Sequence, residues 1–303
     1  MKRVHVVGCC SRCGTTLIAE MMYNCFEIDI YKVKEARLAV PPSRRGEIYL
    51  TKNPRDIIIA EYMLNWLQDL YIIYMLRDAR DTIVSKHPND EQKYWSSLSI
   101  WKCFTRMGDR LKKHPRFITV KYEDLVTHPD IVQEYIHARL PFLRKKALFS
   151  QFHQSARPSE SYINALKGLR PVSAASIGNW RKHKARVAGQ IKKHGSVSRK
   201  LIELGYEKDN AWEQELENVV PDLTPSHETL CMKFIRNKRR TNYWRLFRIK
   251  VGQSLPVLIV RERLSKIAAN IAGKFANGAL SSASKLTLLI PMLQAVMALA
   301  DQD

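Results

Sequence analysis

Val4–Val7 is a short apolar run that stops at Gly8, and apolar positions return at helical spacing over Thr15–Met22 after a polar turn. The pattern predicts strand, loop, helix. Ile48–Lys52 reads as a second strand, followed by an amphipathic helix over Asp56–Leu70. Tyr71–Leu76 is apolar without interruption, as in a strand covered on both faces of a parallel sheet. A helix is then expected over Arg80–Lys86, a longer one over Glu91–Lys113, an alternating strand at Arg116–Tyr122, and a mainly helical remainder to Trp212. Strands alternating with helices predict an α/β fold, a doubly wound parallel sheet flanked by helices whose ligand lies beyond the strands' carboxyl ends. There is no internal repeat.

The pattern changes after Trp212. Glu213–Thr229 is acidic and contains Pro221 and Pro225, which predicts a linker between a domain at 1–212 and an extension at 230–303. In the extension Leu264, Ile267, Ala268, Ile271, Ala272 and Phe275 recur at helical spacing, so it is expected to be a basic, amphipathic helical segment. It holds 13 Lys and Arg against 3 Asp and Glu, a net +10, close to half of the chain's +21.

Such a field attracts polyanions: nucleic acid, an anionic membrane, or a phosphorylated or sulfated ligand. A hydrophobic fraction of 45% excludes a disordered chain. Six cysteines, three of them at Cys9, Cys10 and Cys13, are too few and too clustered for a secreted disulfide scaffold. Leu286–Ala300 is too short to cross a bilayer and is interrupted by Pro291. With Arg3–Gly8 already reading as a strand, no leader peptide is expected, and the expectation is a cytoplasmic protein with peripheral membrane contact.

Gly8-Cys9-Cys10-Ser11-Arg12-Cys13-Gly14-Thr15-Thr16 lies where the first strand gives way to the first helix. Free N–H groups at a helix start make an anion site; glycine lets the backbone approach, and Arg12, Thr15 and Thr16 add charge and donors. The spacing departs from a nucleotide-triphosphate loop: five residues separate the glycines and no lysine follows Gly14. Cys10 and Cys13 also form a C-x-x-C, but zinc would need a second pair, and redox chemistry is the weaker reading. A second segment, Arg77-Asp78-Ala79-Arg80-Asp81-Thr82-Ile83-Val84-Ser85, follows the buried strand with an arginine at its end and a serine eight residues on. A cation and a hydroxyl so placed could clamp a second phosphate. The bland alternative is a capped helix with ion pairs among Asp78, Arg80 and Asp81.

These segments together resemble the donor-binding motifs of sulfotransferases that use 3′-phosphoadenosine-5′-phosphosulfate (PAPS). The first resembles the family's 5′-phosphosulfate loop. The second is similar to its R-D-P-R-D-x-x-x-S motif, with Ala79 in place of the proline. Lys121-Tyr122-Glu123-Asp124-Leu125 resembles a strand end read as mainly structural, and Gly178-Asn179-Trp180-Arg181 a later element whose loop closes over the nucleotide in relatives. The resemblance covers about residues 4–185. It implies a P-loop-type fold, PAPS as donor with 3′-phosphoadenosine-5′-phosphate (PAP) as product, and no metal requirement. It places Arg12, Cys13, Gly14, Thr15 and Thr16 on the 5′-phosphosulfate, Arg77 and Ser85 on the 3′-phosphate, and Trp180 and Arg181 in the closing loop.

Sulfuryl transfer needs a base for the acceptor proton and cations for the transferring oxygens. Relatives that sulfate small phenols and steroids carry a histidine after the second strand; here Leu50-Thr51-Lys52-Asn53-Pro54 has none, and Lys52 is the candidate cation. Carbohydrate sulfotransferases often place a glutamate in a K-E context about twenty residues past the loop. Lys34-Glu35, twenty-one residues beyond Gly14, fits, so Glu35 is the candidate base, with His87, His128 and His183 as alternatives. A glutamate base favours a hydroxyl or amine of a carbohydrate or glycolipid as acceptor, with Trp66, Trp95 and Trp101 as a sugar-stacking wall or, the better reading, core. The competing functions are a P-loop small-molecule kinase and a non-catalytic basic adaptor. Lys233–Lys250 interleaves cations with Phe234, Tyr243, Trp244 and Phe247, so residues 233–275 are expected to meet an anionic membrane or polyanion or, the bland alternative, to pack on the domain with a solvated charged face, with nucleic acid least favoured.

Overall fold

The computed structural model describes residues 1–38, 46–87, 90–155 and 171–227, with Ile235 and Asn237. A compact unit runs from Met1 to Lys238, and all residues of the extension beyond it lie outside the described set, as does its expected amphipathic helix.

The core is a five-stranded, all-parallel sheet of β1 (Lys2–Gly8), β2 (Ile30–Tyr31), β3 (Ile48–Lys52), β4 (Leu70–Leu76) and a strand here called β7 (Phe117–Lys121), in the order β2-β3-β1-β4-β7. The intervening β5 (Lys86–His87) and β6 (Asp90–Tyr94) form a separate antiparallel pair. Helix α1 (Thr15–Cys25) carries the chain from β1 to the β2 edge, whereas α2 (Ile57–Trp66) carries it back from β3 across β1 to β4. Right-handed crossovers running in opposite directions put their helices on opposite faces, so the sheet is doubly wound as expected. β1 and β4 are neighbours, in register from Arg3 opposite Leu70 to Gly8 opposite Met75. The segments leaving their carboxyl ends therefore face one another at the switch point, where α/β sheets bind ligands.

The central strands are buried as their apolar runs require: Val4, Val6, Ile72, Ile73 and Met75 have no solvent exposure. α2 is shorter than expected, ending at Trp66 instead of Leu70. The Arg116 guanidinium donates to the carbonyls of Leu64 (2.6 Å), Leu67 and Leu70 (3.2 Å), satisfying groups that a further helical turn would have consumed. The helix expected at Arg80–Lys86 is the short α3 (Ala79–Ile83). The long helix expected at Glu91–Lys113 begins only with α4 (Leu98–Leu111), because Asp90–Tyr94 pairs with Lys86–His87. Buried Tyr94 anchors that pairing: the Lys86 ammonium lies 3.8 Å and the Arg186 guanidinium 4.2 Å from its ring centroid.

After β7 come α5 (Tyr122–Thr127), α6 (Pro129–Arg139), α7 (Phe152–Ser155), α8 (Lys184–His194) and α9 (Ser198–Glu203). The stretch expected as a linker from Glu213 is packed on the domain as far as His227. Buried Arg186 on α8 donates to the Thr224 carbonyl and the Ser226 hydroxyl, each at 2.5 Å, and the Asp222 N–H donates to the Ala185 carbonyl at 2.8 Å. The approach is so close that a Cβ on Gly189 would stand 1.9 Å from the Asp222 carbonyl oxygen. Two prolines and an acidic composition suggested a linker; a buried arginine over a hundred residues past β4's end holds it through the Thr224 carbonyl and the Ser226 hydroxyl instead.

Candidate functional site

The loop between β1 and α1 turns back over the sheet's carboxyl edge. Cys9 N–H donates to the Met75 carbonyl at 2.9 Å, extending the β1–β4 ladder by one bond before the turn. Arg12 (φ 70°) and Gly14 (φ 98°) both adopt left-handed backbone. For Gly14 this needs a residue without a side chain, and a Cβ there would lie 2.6 Å from Cδ2 of Tyr122. For Arg12 it costs on the order of 1 kcal/mol, a strain that the surrounding bonds hold in place. Thr15 is buried at the start of α1 and Thr16 is half-buried beside it.

Arg12 and Arg77 come together across the β1–β4 crevice. The Arg12 Nε donates to the Ser85 hydroxyl at 3.2 Å, and the Arg77 Nη1 donates to the Arg12 carbonyl at 3.1 Å. Arg77 lies 4.1 Å above the ring of Tyr122, and its own carbonyl accepts from Trp101 Nε1 at 2.9 Å. Two guanidiniums in a half-buried crevice is an arrangement that wants an anion: burial first, and the Arg77 charge second, lower the pKa of Arg12. The Nε of Arg77 is buried and has no hydrogen-bond partner among the described residues. Cations, a serine hydroxyl and the N–H groups of a helix start thus face one crevice, and the donor set fits a ligand carrying phosphates at two positions. Trp101 is wholly buried, so its place is in the frame of the site and not on a sugar-stacking wall.

The Arg77–Ser85 segment contains the capped helix and ion pair that the sequence allowed. Asp78 caps α3, accepting from Arg80 N–H at 2.8 Å, and pairs with the Arg80 guanidinium at 2.6 Å. Arg80 is held further by Glu207 at 2.6 Å and lies between the rings of Trp180 and Trp212, 4.4 and 4.5 Å from their centroids. Asp81 reaches the other way and accepts from the N–H groups of Gly178 (2.8 Å) and Trp180 (2.9 Å). Burial, with the charge of Asp78, pushes the Asp81 carboxyl above its ordinary range, and those two N–H bonds oppose the shift. Gly178–Arg181 is thereby docked on the start of α3. The roles within it differ from expectation. Trp180 is 1% exposed and packs on Arg80, so it anchors the loop instead of presenting its ring to a ligand. Exposed Arg181 pairs with Glu215 at 3.2 Å.

The side chain of Cys13 is turned away from the crevice. Its thiol is fully buried and donates to the Cys10 carbonyl at 2.9 Å, leaving only its backbone for the crevice. Burial works against its thiolate, yet hydrogen bonding from Cys9 and from the loop backbone, with the Arg77 charge, outweighs it and lowers the pKa. Among the described residues no three His, Cys, Asp or Glu side chains form a set that could hold a metal.

Two residues of the site were missed in the sequence. Tyr122, read as part of a structural strand end, stacks on Arg77, abuts Gly14 and shares a 2.8 Å hydrogen bond with the Ser176 hydroxyl. Ser176 also accepts Arg77 Nη2 on its carbonyl at 3.1 Å, bringing the 171–178 segment over the arginine. An aromatic immediately after an alternating strand was the only signal available for Tyr122; nothing local marks Ser176.

The expected acceptor side lies one strand further along. Lys52 closes β3, in register with Val6 of β1, and is 4% exposed. Beyond β2 the chain keeps beside β3: Lys32 N–H donates to the Leu50 carbonyl at 3.1 Å and Ala36 N–H to the Lys52 carbonyl at 3.0 Å. This brings exposed Glu35 to the end of β3, where its charge bears on Lys52. Glu35 makes no ion pair with Lys32 or Arg37. Burial lowers the Lys52 pKa, and the carboxylates of Glu35 and Glu20 oppose the shift. Of the alternative bases, His128 is exposed and bonded to the Thr127 hydroxyl at 2.9 Å, and the side chain of His87 lies outside the described residues. His183 is half-buried with its pKa lowered by burial and by Lys86 and Lys182.

No family model and no curated protein matches the chain. Among solved structures it is similar to a sulfotransferase domain from the curacin biosynthetic pathway, at 12% identity and TM-score 0.47, over 68% of this chain and 99% of that one. A sulfotransferase domain from the Synechococcus PCC 7002 olefin synthase shows 19% identity and TM-score 0.34, over 44% of this chain and 51% of that one. Both likenesses are remote; the residues of the crevice are the basis for assigning a function.

Proposed function

We propose that the protein is a sulfotransferase that moves a sulfuryl group from PAPS to a hydroxyl or amine of a carbohydrate or glycolipid. The observation that carries the reading is the convergence of Arg12, Ser85 and Arg77, with Arg12 bonded to Ser85 at 3.2 Å and Arg77 to the Arg12 backbone at 3.1 Å. In this reading the helix start at Gly14, Thr15 and Thr16, with Arg12, takes the 5′-phosphosulfate. Arg77 and Ser85 take the 3′-phosphate. Glu35 accepts the proton of the attacking acceptor atom as its bond to sulfur forms and the bond from sulfur to the phosphate oxygen breaks. Lys52 and Arg12 stabilise charge on the transferring and leaving oxygens, a role that preorganised cations fill in a site shielded from water. The carbohydrate acceptor rests on the choice of a glutamate as base.

Residues 233–275 give the same protein a basic, aromatic segment suited to an anionic membrane, each cation contributing about 1 kcal/mol near the surface. No helix among the described residues is long and apolar enough to cross one. Deleting 230–303 should abolish flotation with vesicles containing phosphatidylserine; unchanged flotation would remove the membrane contact.

The donor is tested by thermal unfolding with PAP beside ADP. A ligand that binds only the native state at a hundredfold excess over Kd raises stability by about 2.7 kcal/mol. Stabilisation by PAP and not ADP is expected. Stabilisation by ADP alone would replace the reading with a kinase, and none by either with a non-catalytic basic protein. Transfer of radiolabelled sulfuryl from PAPS to a panel of glycans then tests the acceptor.

A further inference from the structure

The segment that bears Glu35 runs past the end of β3, and the strand's backbone holds it only part of the way. Lys32 N–H donates to the Leu50 carbonyl and Ala36 N–H to the Lys52 carbonyl. β3 ends at Lys52, and the chain then turns away: Asn53 N–H donates to the Val6 carbonyl of β1 at 2.9 Å. Leu38, two residues beyond Ala36, is wholly buried, and a buried N–H needs an acceptor. A side chain supplies it. Oδ2 of Asp56 accepts from Leu38 N–H at 2.6 Å.

Asp56 stands where that oxygen is held still. It closes a single helical turn, Pro54–Asp56, and its N–H donates to the Asn53 carbonyl at 3.0 Å. The Asn53 side chain accepts from Arg55 N–H at 3.1 Å, which fixes the turn from within. The same Asp56 oxygen lies 3.4 Å from Nε2 of His5 on β1, and Nδ1 of His5 lies 2.7 Å from the Thr51 hydroxyl. His5, Thr51 and Asp56 have no solvent exposure. A carboxylate taken fully out of water needs good partners, and one of those it takes here is an amide 18 residues back in the chain.

We infer that Asp56 is a positioning residue for Glu35: its carboxylate, bonded to the Leu38 N–H, clamps the far end of the segment that carries Glu35 past β3. The inference rests on the proposed role of Glu35 as the base. An exposed side chain has little packing of its own, so its place depends on the backbone beneath it. That backbone is anchored before Glu35 at Lys32 and after it at Ala36 and Leu38. The last anchor is the charge-assisted one, which makes it the strongest kind of bond among the three. Misplacing a reacting group by about 1 Å can cost on the order of a hundredfold in rate. Asp56 is too deep to touch an acceptor, so it acts only through Leu38.

The test takes three measurements on the full chain: hydrogen exchange at the Leu38 amide, PAP affinity by calorimetry, and kcat and KM for sulfuryl transfer. Transfer is read with radiolabelled PAPS and the glycan of the panel that the wild-type chain sulfates fastest. In Asp56→Ala the Leu38 amide should lose its protection and kcat should fall about ten- to a hundredfold, with PAP affinity unchanged. A general loss of fold would instead lower PAP binding and turnover together. Asp56→Asn keeps an oxygen for the Leu38 N–H and should restore most of the turnover. In a Glu35→Gln background Asp56→Ala should lower kcat no further, because the group it positions is already gone. If Asp56→Ala does not fold, Asp56→Glu decides: it keeps the charge, shifts the oxygen by one methylene, and should lower kcat with PAP binding retained. Unchanged kcat in the deciding variant, or an equal further loss in the Glu35→Gln background, overturns the inference. Full turnover in Glu35→Gln alone, or transfer to no glycan by the wild-type chain, overturns the reading of the base and acceptor instead.

Discussion

On the proposed donor side of the crevice, Arg77 is tied by its backbone to Trp101, by its guanidinium to the carbonyls of Arg12 and Ser176, and by its flat face to Tyr122. On the proposed acceptor side, Glu35 stands exposed on an edge segment that two backbone bonds, from Lys32 and Ala36, hold against β3. The first region joins Arg77 to four other segments, the farthest of them, at Ser176, 99 residues along the chain; the second is mostly local. The difference fits the two tasks. A fixed ligand with two phosphates rewards rigid, pre-aligned donors, because ordering them at binding would cost affinity. In the proposed reaction an acceptor group has to enter and leave, and a base on an exposed edge is reachable.

This contrast predicts that substitutions on the acceptor side change turnover and leave donor affinity alone, whereas those on the donor side change affinity. The largest effect is expected for Glu35→Gln. It should lower transfer by about 10²–10⁴-fold, the ordinary worth of a general base, with PAP affinity unchanged. Turnover intact in that variant would remove Glu35 from the chemistry. Next is Arg77→Ala, expected to weaken PAP binding about a hundredfold by calorimetry, as truncation of a partly buried cation in a charge-assisted set does. Asp81→Ala comes third. It strands the N–H groups of Gly178 and Trp180 and should cost about 2 kcal/mol in denaturant unfolding, with the Gly178–Arg181 loop becoming susceptible to protease. Equal protease resistance would show that the tryptophan–arginine stack holds the loop without Asp81. The smallest effect, a loss of PAP affinity on the order of severalfold, is expected for Ser85→Ala, which removes one neutral hydroxyl and frees Arg12 Nε.

The donor side was also the more legible. Gly8, Arg12, Gly14 and the run Tyr71–Leu76 ending in Arg77 are local features whose shape follows from the chain itself: a glycine turn before a helix, a strand buried on both faces. β3 and β4 appeared where the apolar runs placed them, β3 at Ile48–Lys52. Failures of the reading fall where a distant group decides. Asp90–Tyr94 has a composition that a helix would accept, and the pairing with Lys86–His87 and the cations on Tyr94 made it a strand. Arg116 ended α2 early from across the sheet. Trp180 matched a motif in sequence, but the side chain it meets, Arg80, is 100 residues earlier in the chain, and that contact turned its ring inward.

By itself the sequence determined the alternation of strands and helices, the glycine-bounded loop before the first helix, and the cation at the end of the fourth strand. Each depends on residues within a few positions of one another, where sterics and hydrogen bonding act directly. Only the tertiary structure decided that Arg12 meets Ser85, that Tyr122 supports Arg77, and that Asp81 docks the loop at Gly178. Those juxtapositions arise because the sheet sets β1 beside β4 and β3, and strand order, unlike strand content, is a property of how the crossovers pack.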